Sequence, residues 1–250
     1  MPVHDWTKVT AGVFHDFHHE WITTVKHALN HGVLPPDYYA MADQVAGPGN
    51  PDVLGLQRVR RGQPPQPPTG KGTVVLATAA PRVRFHDRAG GGRRPVHRPK
   101  RVAVRHKTGD RVVALVEIVS TGNKSSRSAV RSFAWKMATF IEDGIHLLVL
   151  DLFPPGPRDP KGIHPVIWSP FHKTAFELPA GKPLTLAAYA AGTETVAYVE
   201  PVAVGDPLPD MPVFLTAQQY VPCPLEATYQ TAWEQFPAPL KEPLEPTGAP

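Results

Sequence analysis

Glu117 stands inside the apolar run of "RVVALVEIVSTGNKSSRSAV", near the end of a segment with the composition of a buried strand. Asp52 opens a second such segment, in "NPDVLGLQ". A carboxylate taken out of water without a partner is costly, so a chain that keeps one supplies a cation, a donor or a metal. Two carboxylates on neighbouring strands, with a lysine nearby, are the groups that magnesium-assisted attack on a phosphodiester requires. The acids hold Mg²⁺ with hard oxygen ligands, and the lysine balances charge on the phosphate or the attacking water. Ser120, Asn123 and Lys124 follow the strand at once. Each group also has a simpler reading. Asp52 caps the turn "GPGNPD". Glu117 pairs with Lys124, Lys136 or Arg131 inside the fold, Asn123 shapes the turn, and Lys136 lies on the solvated side of its helix.

The elements that must position these groups are legible from periodicity. Phe14, Phe17, Trp21, Val25 and Leu29 recur at helical spacing and predict a helix from about Gly12 to Asn30, stopped by Gly32, Pro35 and Pro36. "DYYAMADQVAG" and "PDVLGLQRVR" read as two strands around the turn "GPGNP". Residues 61–99 are rich in Gln, Pro, Gly and Arg and read as an irregular insertion, with a short strand at "GTVVLAT". "RVAVRHKTGDRVVALVEIVS" has the pattern of a hairpin turning at Thr108, Gly109 and Asp110. A helix capped by Ser125 or Ser126 follows, with the stripe Val130, Phe133, Met137, Phe140 and Ile141, closing at Gly144 before the buried strand "IHLLVLDLF". Strand, helix, strand in this order implies a right-handed crossover in a partly parallel sheet. Strands at "PLTLAAYAA" and "TVAYVEPV", an extended "PLPDMPVFL" and a short helix over Leu225–Phe236 complete the chain, and residues 238–250 read as a frayed tail.

With 250 residues and 42% hydrophobic content the chain can bury a full core, and the reading is a single α/β domain over 1–250. The single cysteine, Cys223, excludes an intramolecular disulfide, and no apolar run reaches spanning length. A cytoplasmic location without a membrane partner is expected. The net charge is +4, and basic residues concentrate between Arg82 and Lys107, read as a mobile, exposed segment. Arg93, Arg94, Arg98 and Lys100 on such an arm suit a DNA phosphate backbone. His15 and His19 are four apart and share a helical face. A zinc site there would need a third ligand from elsewhere, so these are read as structural or surface histidines.

The order Pro-Asp, then "EIVSTGNK", then a helix carrying Lys136 and closing at "GIHLLVLDL", resembles the bacterial family known as domain of unknown function 4058. "FHHEWITTVKHALNHGVLPPDYYA" is similar to that family's opening, and "PLPDMPVFL" with "PLEATYQTAWE" to its close. Thr121 stands where that family usually has proline. More distantly, Pro51-Asp52, Glu117 to Ser120, and Lys136 ahead of Gly144-Ile145 resemble the Uma-type endonucleases of the PD-(D/E)XK superfamily. Val119 stands where that superfamily usually carries its lysine, two residues after the glutamate. The resemblance implies a PD-(D/E)XK nuclease-like core with a proline-rich insertion and a β-rich C-terminal extension. It also implies Asp52 and Glu117 as ligands of Mg²⁺ and Lys136, or Lys124, in the role of the displaced lysine, with Ser120, Asn123 and Lys124 in supporting positions. The expected function is a metal-dependent nuclease acting on DNA. The alternative is a non-catalytic binding or scaffold protein with a degenerate nuclease-like fold.

Overall fold

The computed structural model describes residues 3–42, 77, 79–89, 111–172 and 176–245, together with the backbone of 53–57. Helix α1, Ala11–Ala28, buries Phe14, Phe17, Trp21 and Val25 on the face that the periodicity marks out. It runs into a π-type turn, Leu29–Val33, in which Gly32 takes φ +124°. A side chain is disfavoured there, so the helix ends where glycine allows the chain to turn. The Asn30 amide then clamps the next element, β1 (Tyr38–Met41): its Nδ2 donates to Ala40 O at 2.9 Å and its Oδ1 accepts from Ala40 N at 2.8 Å.

Strands β2 (Val53–Gln57), β3 (Phe85–Ala89) and β4 (Arg111–Ile118) lead to helix α2 (Arg127–Glu142) and strand β5 (His146–Asp151). Ser126 caps α2, its side chain accepting from Ala129 N at 3.0 Å. Gly144, at φ +79°, turns the chain into β5. A short helix α3 (Ile163–Trp168), strands β6 (Leu184–Ala190), β7 (Thr195–Val202), β8 (Met211–Phe214) and β9 (Tyr220–Cys223), and helices α4 (Leu225–Gln235) and α5 (Ala238–Lys241) follow.

One sheet has seven strands in the order β1-β2-β4-β5-β6-β7-β3, and β8 and β9 form a separate antiparallel pair. Every pair in the large sheet is antiparallel except β4 with β5, which α2 connects. The result is a mixed α/β fold. An apolar cluster covers each face: α1, α4 and the β8–β9 pair on one side, α2 and α3 on the other. Strands so enclosed lose polar alternation, which is why β5 and β6 are buried at every residue. Among the described residues no helix is long and apolar enough to cross a membrane.

Several expectations change. Residues Phe85–Ala89, inside the segment read as irregular and mobile, form the edge strand β3 on β7. The Arg84 amide beside it donates to Glu200 Oε2 at 2.7 Å, so backbone pairing orders a stretch whose composition suggests a loop. Of "GTVVLAT", Ala77 is described, in an isolated bridge to Tyr220. The hairpin's first arm and turn lie outside the described residues, and its second arm is β4. The β-rich C-terminal part is no appendage, because β6 and β7 complete the main sheet. The tail read as frayed from 238 begins with α5 and carries Leu244 into the core at 5% exposure.

Helices α1 and α4 meet through aromatic packing of Phe17 and Trp21 on Tyr229 and through a hydroxyl that joins them. Thr228 Oγ1 accepts from Trp21 Nε1 at 3.1 Å and lies 3.0 Å from Leu225 O, to which it donates. Thr228→Val keeps the shape and leaves the buried indole N–H unpaired. A loss of about 1–3 kcal/mol of unfolding free energy is expected in urea melts, and an unchanged midpoint would refute the assignment.

Candidate functional site at the ends of β4 and β5

The parallel pair β4 and β5 brings Glu117 opposite Val149, on the sheet face covered by α2 and α3. Its neighbours on that face, Leu115 and Val119, belong to the apolar cluster, and Glu117 itself is 4% exposed. The same period places Asp151, two residues beyond Val149, on the same face at the end of β5. Two acids thus sit where parallel strands end, the position at which open α/β sheets commonly carry their sites.

Each acid meets a lysine. Lys136 extends from α2, one residue before the buried Met137, and its Nζ lies 3.1 Å from Glu117 Oε1. The amine is also 5.9 Å from the centre of the Phe140 ring. The helix stripe that docks α2 onto the sheet therefore also carries Lys136 inward, while Trp135 on the other flank is 58% exposed. Of the internal partners proposed for Glu117, it is Lys136 that the fold supplies.

The turn after β4 is built by its own side chains. Asn123 Oδ1 accepts from Ser120 N at 2.8 Å and from Ser120 Oγ at 2.9 Å, so both residues are committed to the backbone path. That path delivers Lys124 to the second acid. Lys124 Nζ lies 2.7 Å from Asp151 Oδ2 and 2.9 Å from Asp159 Oδ2, and donates to Phe153 O at 2.9 Å. Three acceptors match the three N–H groups of an ammonium. Lys124 is thus a strut between β5 and the loop before α3, reinforced by Gly156 N donating to Asp159 Oδ1.

Asp151 and Asp159, both 2% exposed, were not anticipated. The signal was available: Asp151 ends an apolar run as Glu117 does. Burial raises the Asp151 carboxyl from 3.8 to about 6, with Lys124 opposing the rise. Asp52 and the basic residues Arg93, Arg94, Arg98 and Lys100 lie outside the described residues. Strand β2 starts at Val53, the residue after Asp52 in sequence, with Val53 opposite Val116. Val119 is fully buried in the apolar cluster on that face.

Comparison with models of protein families, with curated proteins and with solved structures finds no match for this chain.

The two ion pairs generate separate expectations. Lys136→Met should lower stability by removing the amine 3.1 Å from Glu117, and adding Glu117→Gln should restore part of that loss. Additive losses in the double variant would show that the two side chains do not interact. For Asp151, the folded chain holds an extra proton between 3.8 and about 6. The resulting stability is complete below 3.8 and is lost as pH rises through about 6. His4 and His164, pushed by burial from 6.5 to about 4, act in the opposite sense: their contribution is present above 6.5 and lost as pH falls through about 4. The stability of wild type relative to Asp151→Asn should therefore shrink as pH is raised from about 4 to about 7. A difference that is flat or grows with pH would contradict the role given to Asp151.

Proposed function

We propose that the chain is a relative of the domain of unknown function 4058 family with a PD-(D/E)XK-like core, and that it acts as a metal-dependent nuclease on DNA. The observation that carries this reading is the Glu117–Lys136 pair at 3.1 Å, an acid at the end of β4 met by an amine from the crossover helix. The element order supports it too: α1, then β1, β2 and β4 antiparallel in sequence, then α2 and the parallel β5.

The donor chemistry fits Mg²⁺ in kind, since Glu117 offers a hard carboxylate oxygen and Asp52 would offer a second. A bound Mg²⁺ would neutralise charge on the scissile phosphate and lower the pKa of an attacking water. The chain's own groups have distinct tasks. Glu117 would supply a carboxylate at the strand end, Lys136, 3.1 Å from it, would balance charge on the metal-bound phosphate, and the enclosing apolar cluster restricts water. Lys124 is spent on Asp151, Asp159 and Phe153, so of the two lysines only Lys136 suits the role. Arg93, Arg94, Arg98 and Lys100 would hold the DNA backbone in a salt-dependent, sequence-tolerant manner.

The second reading, a non-catalytic binding or scaffold protein, draws on Val119 and on the completeness of the Glu117–Lys136 pair as a structural contact.

Incubation of the full chain with supercoiled plasmid and millimolar Mg²⁺ or Mn²⁺ separates the two. Nicking is expected for the wild type and should be lost in Asp52→Asn and in Glu117→Gln. The same ions should raise the melting temperature of the wild type by mass action, with most of the increment missing in Glu117→Gln. A wild type that neither cleaves nor gains stability with either ion would establish the scaffold reading instead.

A further inference from the structure

Helix α1 carries a second group of ligating side chains, on the turn where its exposed side meets the core. His15, His18 and His19 stand at i, i+3 and i+4, so all three share one face. One ligating nitrogen from each can be chosen so that all lie within 4.8 Å of one another. His15 Nε2 and His19 Nε2 are 3.1 Å apart, with their rings nearly perpendicular at 89°. His18 is 7% exposed and stacks on Phe14 at 5.9 Å, and Phe14 packs in turn on Phe153 at 4.7 Å. One imidazole is therefore anchored in the core, and two exposed ones stand beside it.

Spacing puts all three on one face, but His18 borders the apolar stripe and its ring could have been spent on the core. The folded helix keeps a His18 nitrogen within reach of the other two. Tetrahedral Zn²⁺ with Zn–N of about 2.0–2.1 Å separates its nitrogens by about 3.3–3.4 Å. The 3.1 Å between His15 and His19 is within a few tenths of an ångström of that separation. The two exposed rings are the ones that solvent leaves room to turn, while His18 is held by the core.

We propose that His15, His18 and His19 form a three-imidazole site for a borderline divalent ion of the Zn²⁺, Ni²⁺, Cu²⁺ or Co²⁺ class. Three neutral nitrogen donors and no carboxylate select such ions against Mg²⁺, whose ligands are oxygens. Because His15 and His19 face solvent, the fourth coordination position is open to water or to an external ligand. The site's donors are independent of Asp52 and Glu117, and it stands or falls apart from the nuclease reading.

The test is calorimetric titration of the full chain, without an affinity tag, with Zn²⁺ in an excess of Mg²⁺. One ion per chain is expected. His15→Gln or His19→Gln should weaken binding by about tenfold or more, at least as much as loss of a supporting outer-shell contact does, and the double variant should lose it. Glu117→Gln should bind Zn²⁺ as the wild type does. The exposed pair is chosen because His18 is part of the core, and melting curves verify that the variants fold. Absence of Zn²⁺ binding in the wild type overturns the proposal. Binding that survives the double variant, or that Glu117→Gln abolishes, overturns it equally.

Discussion

Buried charge at the ends of β4 and β5 is the constraint around which the rest of the molecule is arranged. The sheet is enclosed by an apolar cluster on each face, and two acids of its central parallel pair are nonetheless kept inside. Removing a carboxylate from water is unfavourable unless a cation with good geometry replaces the lost solvation. The fold meets that requirement twice, by different means. Lys136 comes from the helix that connects the two strands, and Lys124 from the turn that leads into that helix. The apolar docking of α2, the path of residues 120–126 and the loop before α3 together put the two amines beside the acids.

The two lysines differ in what remains available to them. Lys124 holds two aspartates and a carbonyl, with its side chain 11% exposed, and any other partner would have to displace one of these. Lys136 is 18% exposed and reaches a carboxylate at the mouth of the parallel pair. Val119 lies inside the core, and the amine beside Glu117 enters from the helix instead of from the strand.

Much of the fold was legible before the structure. Periodicity located α1, α2 and α4 to within a few residues, because a helix packed on one side must repeat its apolar residues every three to four positions. The unbroken apolar runs of β5 and β6 announced strands covered on both faces. Strand β3 was not legible: "FHDRA" lies among prolines, glycines and arginines, and its order comes from backbone pairing to β7, a partner more than a hundred residues away. The short α3 was missed for a related reason, since six residues with an internal proline carry too little periodicity to signal a helix.

For the site, residue type and local spacing were enough to mark Glu117, since an acid in an apolar run implies a partner, whereas Lys136 was singled out by the family resemblance and not by its spacing. Ser120 and Asn123 were likewise readable, because their hydrogen bonds span three residues. Which lysine meets which acid was decided only by tertiary structure. Arg131, Lys124 and Lys136 all lie within twenty residues of Glu117, and the choice depends on the rotation of α2 and on the loop that carries Asp159 to Lys124. The sequence by itself determined that charge would be buried near the end of β4. The three-dimensional packing decided its pairing, because electrostatic partners are selected by distances of a few ångströms that no linear spacing records.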